Sequence, residues 1–395
     1  MAVLCAVLLL LLGACVAEED ALWLNTKVSR TISISENRQS VLINLEINMK
    51  NVDTGAKDMF LVAVEANIGE RVAFLSATMG KGEDKVTLDT CQGGRGKRQL
   101  LGYKVFSARL PTPVPPDETI KVKIRMVVVG ALAPFPAEME QGTQHYVNFT
   151  GDYHTFLSPY PSERVTTKVK IPGAVVSASR ARLPVQVGGD FVTLGPYDSV
   201  PVLDTSAPLS VHLEYDAPLM RAARMERTVD VSHWASTATV TDAYDLRNDG
   251  AAIRGQFSRY DFMRGLSATN AIAQVSAFLP EQSEPLFFRD VLGNISSSNV
   301  ISRKQGLVEL RLRPRFPIMG GWRAEFEYGF LLPRGRAATK AGGGGMSITV
   351  PFGCPIPGVD VDEYTLRLVL PEGVAGGGGG VGGPPAADGA RGGAP

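Results

Sequence analysis

At 395 residues the chain is long enough for two or three domains with substantial cores. Its 40 Lys and Arg balance 40 Asp and Glu, so it lacks the basic excess of a nucleic-acid binder, and no nucleic-acid partner is expected. A hydrophobic share of 44% is that of an ordinary globular chain and excludes wholesale disorder.

Residues 1–17 read as a secretory signal. The apolar run 3–12 is too short to span a bilayer, and Cys15 and Ala17 stand at the −3 and −1 positions of a cleavage site before Glu18-Glu19-Asp20. Leu12-Gly13-Ala14-Cys15 also permits a lipoprotein signal cut before Cys15. Either reading takes the mature protein out of the cytosol. Cleavage at Ala17 leaves two cysteines, Cys91 and Cys354. An oxidising compartment would allow them to pair. They fall in different halves of the chain, in Gly-rich loops, so separate thiols are the favoured reading.

Strands are expected over 31–34 and 40–50. In the second, Val41, Ile43, Leu45, Ile47 and Met49 share one parity, while Ser40, Asn44, Glu46, Asn48 and Lys50 share the other, the mark of a half-buried antiparallel strand. A turn follows over 50–55, then strands at 60–65 and 72–78. Residues 80–98 are polar and Gly-rich and read as an exposed loop. Within them Gly93-Gly94-Arg95-Gly96-Lys97 lacks both the leading Gly and the trailing Ser or Thr of a phosphate loop, so no nucleotide is expected there. Prolines break the chain at 111–116, and 121–126 alternates strictly. The strand over 146–156 carries Asn148-Phe149-Thr150, an N-glycosylation acceptor triplet. Residues 165–171 close a first unit, and 191–201 and 209–215 bridge to a boundary near Ala217.

The second half repeats the scheme, with strands at 229–231, 238–240, 272–279, 284–289, 308–313, 323–328 and 364–370. An aromatic and charged segment lies at 255–261, and a turn over 292–296 holds a second acceptor triplet at Asn294. Residues 375–395 are almost wholly Gly, Ala and Pro, with nothing to bury, and are expected to be disordered. No helical period of useful length occurs. The fold class expected is therefore all-β and mainly antiparallel: a signal over 1–17, two tandem related β-sandwich domains over 18–217 and 218–373, and a disordered tail over 374–395.

The two halves echo each other. Arg30-Thr31-Ile32-Ser33-Ile34-Ser35 lies over Arg227-Thr228-Val229-Asp230-Val231-Ser232 at a shift of 197, and Met49-Lys50-Asn51 lies over Leu246-Arg247-Asn248 at the same shift. Val169-Lys170-Ile171-Pro172-Gly173 resembles Leu368-Val369-Leu370-Pro371-Glu372-Gly373 at a shift of 199. Matches in near register at both ends of a long segment point to one unit used twice.

Little catalytic apparatus is visible. There is no H-E-x-x-H, G-x-S-x-G or C-x-x-C. His145 and His154 flank the first acceptor triplet and could share a metal, but they have no third ligand and read as surface loop residues. Asp360-Val361-Asp362 matches a D-x-D metal motif outside its usual fold and reads as a solvated turn. Arg313, Arg315 and Arg323, around Trp322, read as stems packed on aromatic rings and paired with acids such as Glu309 or Glu325. No catalytic residue, cofactor or metal ligand is assigned.

Several stretches nevertheless resemble a known family. Val231-Ser232-His233-Trp234, Phe257-Ser258-Arg259-Tyr260-Asp261, Arg289-Asp290 with Gly293-Asn294, and Arg313-Pro314-Arg315-Phe316-Pro317 with Gly320-Gly321-Trp322 resemble, in this order, the ribophorin I family. So do Tyr160-Pro161, Gly195-Pro196-Tyr197 and the closing Leu370-Pro371-Glu372-Gly373. The resemblance covers roughly 25–373. It implies a type I membrane protein of the endoplasmic reticulum with two luminal β-sandwich domains. It also implies a non-catalytic subunit of the oligosaccharyltransferase, the complex that moves a preassembled oligosaccharide from dolichyl diphosphate to Asn in Asn-x-Ser/Thr. Implied partners are the other subunits, including the multi-spanning catalytic one, and nascent secretory polypeptides. Asn294 matches a position where the family carries a glycan acceptor. The sequence departs from the family after Gly373, where the Gly-rich tail stands in place of further luminal sequence and a membrane helix, and across 334–357, which is richer in Gly. A truncated or misread 3′ end and a soluble luminal variant are both open readings. A secreted β-sandwich binding module is the alternative function, and an enzyme built on related sandwich domains a third.

Overall fold

The computed structural model describes residues 23–35, 38–80, 86–92, 102–232, 237–264, 270–304, 306–332, 339–340, 346–347 and 352–371. The signal, the Gly-rich tail and the pair His233-Trp234 lie outside the described residues.

The chain opens with an antiparallel hairpin of β1 (Trp23–Ser35) and β2 (Arg38–Asn51). It continues through β3 (Lys57–Glu65), the short helix α1 (Ala66–Gly69), β4 (Val72–Met79), β5 (Val86–Gln92), β6 (Tyr103–Val114) and β7 (Thr119–Val128). Then come β8 (Leu132–Pro134), β9 (Glu138–Met139), β10 (Tyr146–Tyr153), β11 (Ser162–Lys170), β12 (Val175–Ala178), β13 (Val185–Val187), β14 (Phe191–Val200) and β15 (Pro208–Glu214). Among the described residues, ten of these form one sheet in the order β13-β14-β11-β1-β2-β7-β4-β5-β6-β3, and four form a second, β12-β15-β10-β8. The alternation read over 40–50 is the reason β2 sits at the middle of the large sheet: Val41, Ile43, Leu45, Ile47 and Met49 are all buried. β5 departs from expectation. It falls within the stretch read as a loop, where a short Val-Thr-Leu-Asp-Thr run is hidden between Gly and charged residues, and it pairs with β4 and β6.

The second half begins with β16 (Met220–Ser232) and β17 (Thr237–Asn248), followed by β18 (Ala252–Ile253), the helix α2 (Arg259–Met263), β19 (Val275–Pro280), β20 (Glu284–Asp290), β21 (Gly293–Asn294), β22 (Asn299–Lys304), β23 (Leu307–Leu312) and β24 (Arg323–Leu332). The ribbon of β25 (Thr339–Lys340) and β26 (Met346–Ser347) precedes β27 (Val359–Val361) and β28 (Tyr364–Val369). The main sheet runs β21-β20-β24-β17-β16, with β27 and β28 both on the far side of β16, and β19-β23-β22 forms a smaller sheet. β17 is longer than the short strand expected: its 12 residues alternate without a break between outward and buried positions.

Two large cores share no residue. One draws on residues from Trp23 to Leu219, the other on residues from Ala222 to Ile356. Each is built around a central strand flanked antiparallel by the next strand and parallel by a late one. Ile32 on β1 stands opposite Ile43 on β2 and Val169 on β11. Val229 on β16 stands opposite Val240 on β17 and Leu368 on β28. These are the positions that the sequence echoes superpose, so both echoes meet side by side on the same pair of central strands. The matched arginines, Arg30 and Arg227, are both buried. Arg30 donates to Thr167 Oγ1 at 3.1 Å and Asp152 Oδ1 at 2.8 Å, and Arg227 is clamped by both oxygens of Asp242 at 2.6 and 2.7 Å.

Candidate functional site

A cluster of buried polar groups lies where the two halves meet, at the Asn-Asp-Gly turn that ends β17. Asn248 is buried, and its side chain replaces the ladder that the strand has just lost. Its Oδ1 accepts from Gly250 N at 3.0 Å, while its Nδ2 donates to the carbonyls of Asn270 at 2.5 Å and Ile318 at 3.0 Å. Asn51 does the same work at the matching end of β2: Asp53 N donates to its Oδ1, and its Nδ2 reaches the carbonyls of Gly55 and Val114.

The second-half turn differs in having the other half of the chain against it. Ala251 N donates to Nε2 of His145 at 3.2 Å, and His145 Nδ1 lies 3.0 Å from Tyr215 O. An accepting Nε2 fixes the proton on Nδ1, so the ring is the neutral tautomer that donates to the Tyr215 carbonyl. Burial holds its pKa below the ordinary histidine value, against the pull of the Tyr215 and Ala217 backbone and of Asp216. A Cβ on Gly250 would sit 2.9 Å from Asn270 Nδ2, and one on Gly320 would lie 1.8 Å from Ala251 O, so both positions admit glycine alone without rearrangement. Beyond the turn β18 pairs in parallel with β9, across the boundary, with Ala252 N on Ala137 O at 2.9 Å and Arg254 N on Met139 O at 2.8 Å. A small core of Met139, Ala251 and Met319, backed by Phe257, Phe262 and Trp322, closes the junction. Gln141 brackets Ser258 with two 2.9 Å bonds, and Ser258 caps α2 by accepting from Asp261 N.

A second contact lies at the same Met220 end of β16, on its β27 side. Asp360 Oδ2 accepts from Gly130 N at 2.8 Å, and Gln39 bonds to Met220 O. Asp360 is buried, with its pKa raised by burial, and Asp362 is held by the Arg221 guanidinium. The D-x-D is therefore not a solvated turn. One of its carboxylates is spent joining the two halves.

His145 and His154 are fully buried rather than on surface loops. His154 lies 3.0 Å from Tyr197 Oη and 2.9 Å from Ser179 Oγ, and that serine donates to Pro208 O while accepting from Ser210 N. Among the described residues no group of three His, Cys, Asp or Glu side chains could hold a metal. Arg315 pairs bidentately with Asp290, and Arg323 with Asp245 and Glu325. Asp245, Asp290, Arg323 and Glu325, with Arg224 and Arg289, line a groove of about 350 Å³ on the outer face of the β17-β24 sheet. Cys354 is a free thiol in the second core, 3.7 Å from Tyr244 Oη, and burial raises its pKa. Asn294 is exposed in β21, just past the tight turn at 291–292 and beside Gly293, which has φ +120°. Asn148 lies mid-strand on β10 rather than beside a turn, half-buried, with its Oδ1 accepting from Ser210 Oγ at 2.9 Å.

The Phe257 to Asp261 and Gly320 to Trp322 motifs thus converge on the junction. The family model described as Ribophorin I matches residues 23–376. The chain belongs to the ribophorin I family. Among curated ribophorin I relatives, dolichyl-diphosphooligosaccharide–protein glycosyltransferase subunit 1A of Arabidopsis thaliana is 30% identical, over 88% of this chain and 56% of its own length. Subunit 1 of the corresponding Caenorhabditis elegans glycosyltransferase is 29% identical, over 92% of this chain and 60% of its own length. Subunit 1B of Oryza sativa is 29% identical, over 84% of this chain and 71% of its own length. The chain spans little more than half the length of the first of these. Native yeast LTA4 hydrolase overlays at a TM-score of 0.29 with 11% identity, over 52% of this chain and 31% of that one, a likeness too slight to carry an argument. Among the described residues of this ribophorin I family member, no helix is long and apolar enough to cross a membrane.

Proposed function

We propose that the chain is the luminal part of a non-catalytic subunit of the dolichyl-diphosphooligosaccharide–protein glycosyltransferase, acting in N-glycosylation in the endoplasmic reticulum. The observation that carries the reading is a family match running through nearly all of the described chain. The use of the buried polar groups supports a scaffolding role: His145 and Asp360 join the halves, Asn248 and Asn270 brace the turn that meets His145, and Arg227 and Asp242 join strands. The units are two tandem β-sandwich domains over 18–217 and 218–373, preceded by a signal over 1–17 and followed by a Gly-rich tail over 374–395. Their partners are the other subunits, the multi-spanning catalytic one among them, and nascent secretory polypeptides. Asn294 and Asn148 are acceptors for the protein's own glycans. A secreted β-sandwich binding module is the competing reading.

Capture of the native protein from microsomes in mild detergent tests this. Co-purification with the catalytic subunit is expected. A soluble monomer free of that subunit would replace this reading with the secreted module.

A further inference from the structure

The strand register sets Asn294 in line with the charged groove. On β21 it stands opposite Arg289 of β20. Arg289 in turn stands opposite Glu327 of β24, Glu327 opposite Ala243 of β17, and Ala243 opposite Glu226 of β16. Residues directly opposite one another share a face of the sheet. The chain neighbours of this row, Phe288, Phe326, Tyr328 and Tyr244, are buried in the second core, so the row itself faces outward. The four residues beyond Asn294 all line the groove. From Asn294 to Ala243 is three strand steps, roughly 14 Å, within reach of the first few sugars of an N-linked glycan.

The chemistry of the groove suits a carbohydrate. Ala243 is the small side chain of the row and leaves a trough between charged neighbours. Arg289 pairs with Glu327, and Arg323 with Asp245 and Glu325, so donors and acceptors alternate along it. Arg224, opposite Asp245, is exposed and has no ion-pair partner among the described residues. Sugar hydroxyl and acetamido groups both donate and accept. They bond to carboxylates and guanidinium groups alike and leave neither charge without partners. An apolar segment laid over the same row would strip these groups of water and return no hydrogen bonds. At the Asn294 end the site is already set. The Phe287 ring lies over Gly329, where an added Cβ would come within 2.3 Å of it, and the Arg289 guanidinium sits 4.8 Å from the centre of that ring. Arg289 is therefore held between the ring and Glu327, beside the residue that would carry the sugar.

We propose that the glycan on Asn294 lies back along this row, its first sugars in the groove, bonded to Arg289 and Glu327 at the near end and to Asp245 and Arg224 at the far end. The inference rests on the reading of Asn294 as an acceptor. Attachment is what selects this occupant. A ligand tethered at the end of the groove is present there at an effective concentration on the order of mM, so contacts too weak to hold a free sugar suffice. A peptide segment from elsewhere has no such tether at Asn294.

Two measurements on the full chain solubilised from microsomes test this. In the first, carboxylates are amidated with a carbodiimide and an amine and mapped by mass spectrometry. Ser296→Ala removes the acceptor triplet without touching the groove. Glu327 and Asp245 are expected to label severalfold faster in this variant than in the glycosylated parent, while Asp198, 73% exposed in the first half, labels equally in both. In the second, an endoglycosidase that cuts between the two core sugars is applied to the native chain, and the Asn294 glycopeptide is followed. Ala243→Arg fills the trough from the outer face and is expected to speed release severalfold, whereas Ala243→Ser leaves it slow. If Ala243→Arg fails to fold, the labelling of Ser296→Ala decides alone. A glycan present on Asn294 with equal labelling in parent and Ser296→Ala overturns the docking and leaves the acceptor reading standing, whether the groove is open in both or covered by a polypeptide in both. Equal release from the parent and a folded Ala243→Arg does the same. An unmodified Asn294 in the parent overturns the acceptor reading and this inference together.

Discussion

Asp242→Leu removes the carboxylate that answers a charge in the middle of the second core. The side chains of Arg227 and Asp242 are 1 and 0% exposed. They share bonds of 2.6 and 2.7 Å, and the Tyr328 hydroxyl donates to the same carboxylate at 2.9 Å. Burial works against the guanidinium charge, but the hydrogen bonds and charge of Asp242 more than offset it and hold Arg227 above its ordinary pKa. Leucine keeps the volume of the site and deletes all three bonds, so the cost is that of a buried pair broken by loss of one partner, about 3–5 kcal/mol. Set against a domain stability of about 5–15 kcal/mol, that is about a fifth or more of the total. Arg227→Met combined with Asp242→Leu removes both charges and is expected to lie within about 1 kcal/mol of the parent, because no buried charge remains. Guanidinium titrations of the four proteins, with hydrogen exchange of the β16-β17 and β1-β2 peptides, measure the cycle. Exchange should rise in β16-β17 and stay unchanged in β1-β2. A single substitution costing less than about 1 kcal/mol, or a double that costs the sum of the singles, would refute the account of this pair.

Stability should depend on pH through His145 and His154, whose folded values are lowered by burial. Above the unfolded value of 6.5 both states are neutral and stability is full; it falls as pH drops through 6.5 toward the folded values, where the unfolded chain takes up protons first. Denaturation midpoints at pH 7.5 and 5 measure this, and His145→Asn should flatten part of the slope. Gly320→Ala should cost about 1–3 kcal/mol by driving a methyl into the Ala251 carbonyl, and should raise hydrogen exchange in the β9 and β18 peptides before that of β1 or β16. Glycopeptide mass spectrometry should find Asn294 fully occupied and Asn148 less so, because Asn294 is exposed just past a turn while Asn148 sits between two strand neighbours. Alkylation of Cys354 should be slower in the native protein than in denaturant, since the half-buried thiol packs against Tyr244 and burial raises its pKa.

Strands whose side chains alternate were legible from the sequence, because alternation and burial are one cause: Val41 to Met49 and residues 121–126 are placed where period-two patterning put them. The echo of Arg30 in Arg227 was legible as similarity, and its physical basis, a cation buried beside the central strand with a carboxylate partner, needed the register. β5 was hidden because its flanks are polar. His145 and His154 were misplaced because the groups that satisfy them are backbone and hydroxyl partners 25 to 106 residues away, which no local pattern reveals. Asp360 was misread for the same reason, its partner Gly130 lying 230 residues upstream. Asn248 did carry a signal. An Asn at a strand end, two residues before a Gly, matched Asn51 in the other half, where the same side chain spans the same kind of turn.

The parallel ladder of β9 with β18, backed by the His145 and Asp360 contacts, has a mechanical meaning. Two modules tied only by their covalent link move like beads on a string, and a load on one is lost in the slack of the connection. Here the connection is reinforced by main-chain bonds and a dry core on one side of the seam and by a buried carboxylate on the other. A pull on the second half therefore reaches the first through these bonds as well as through the covalent link, and the seam carries load that the linker alone would not.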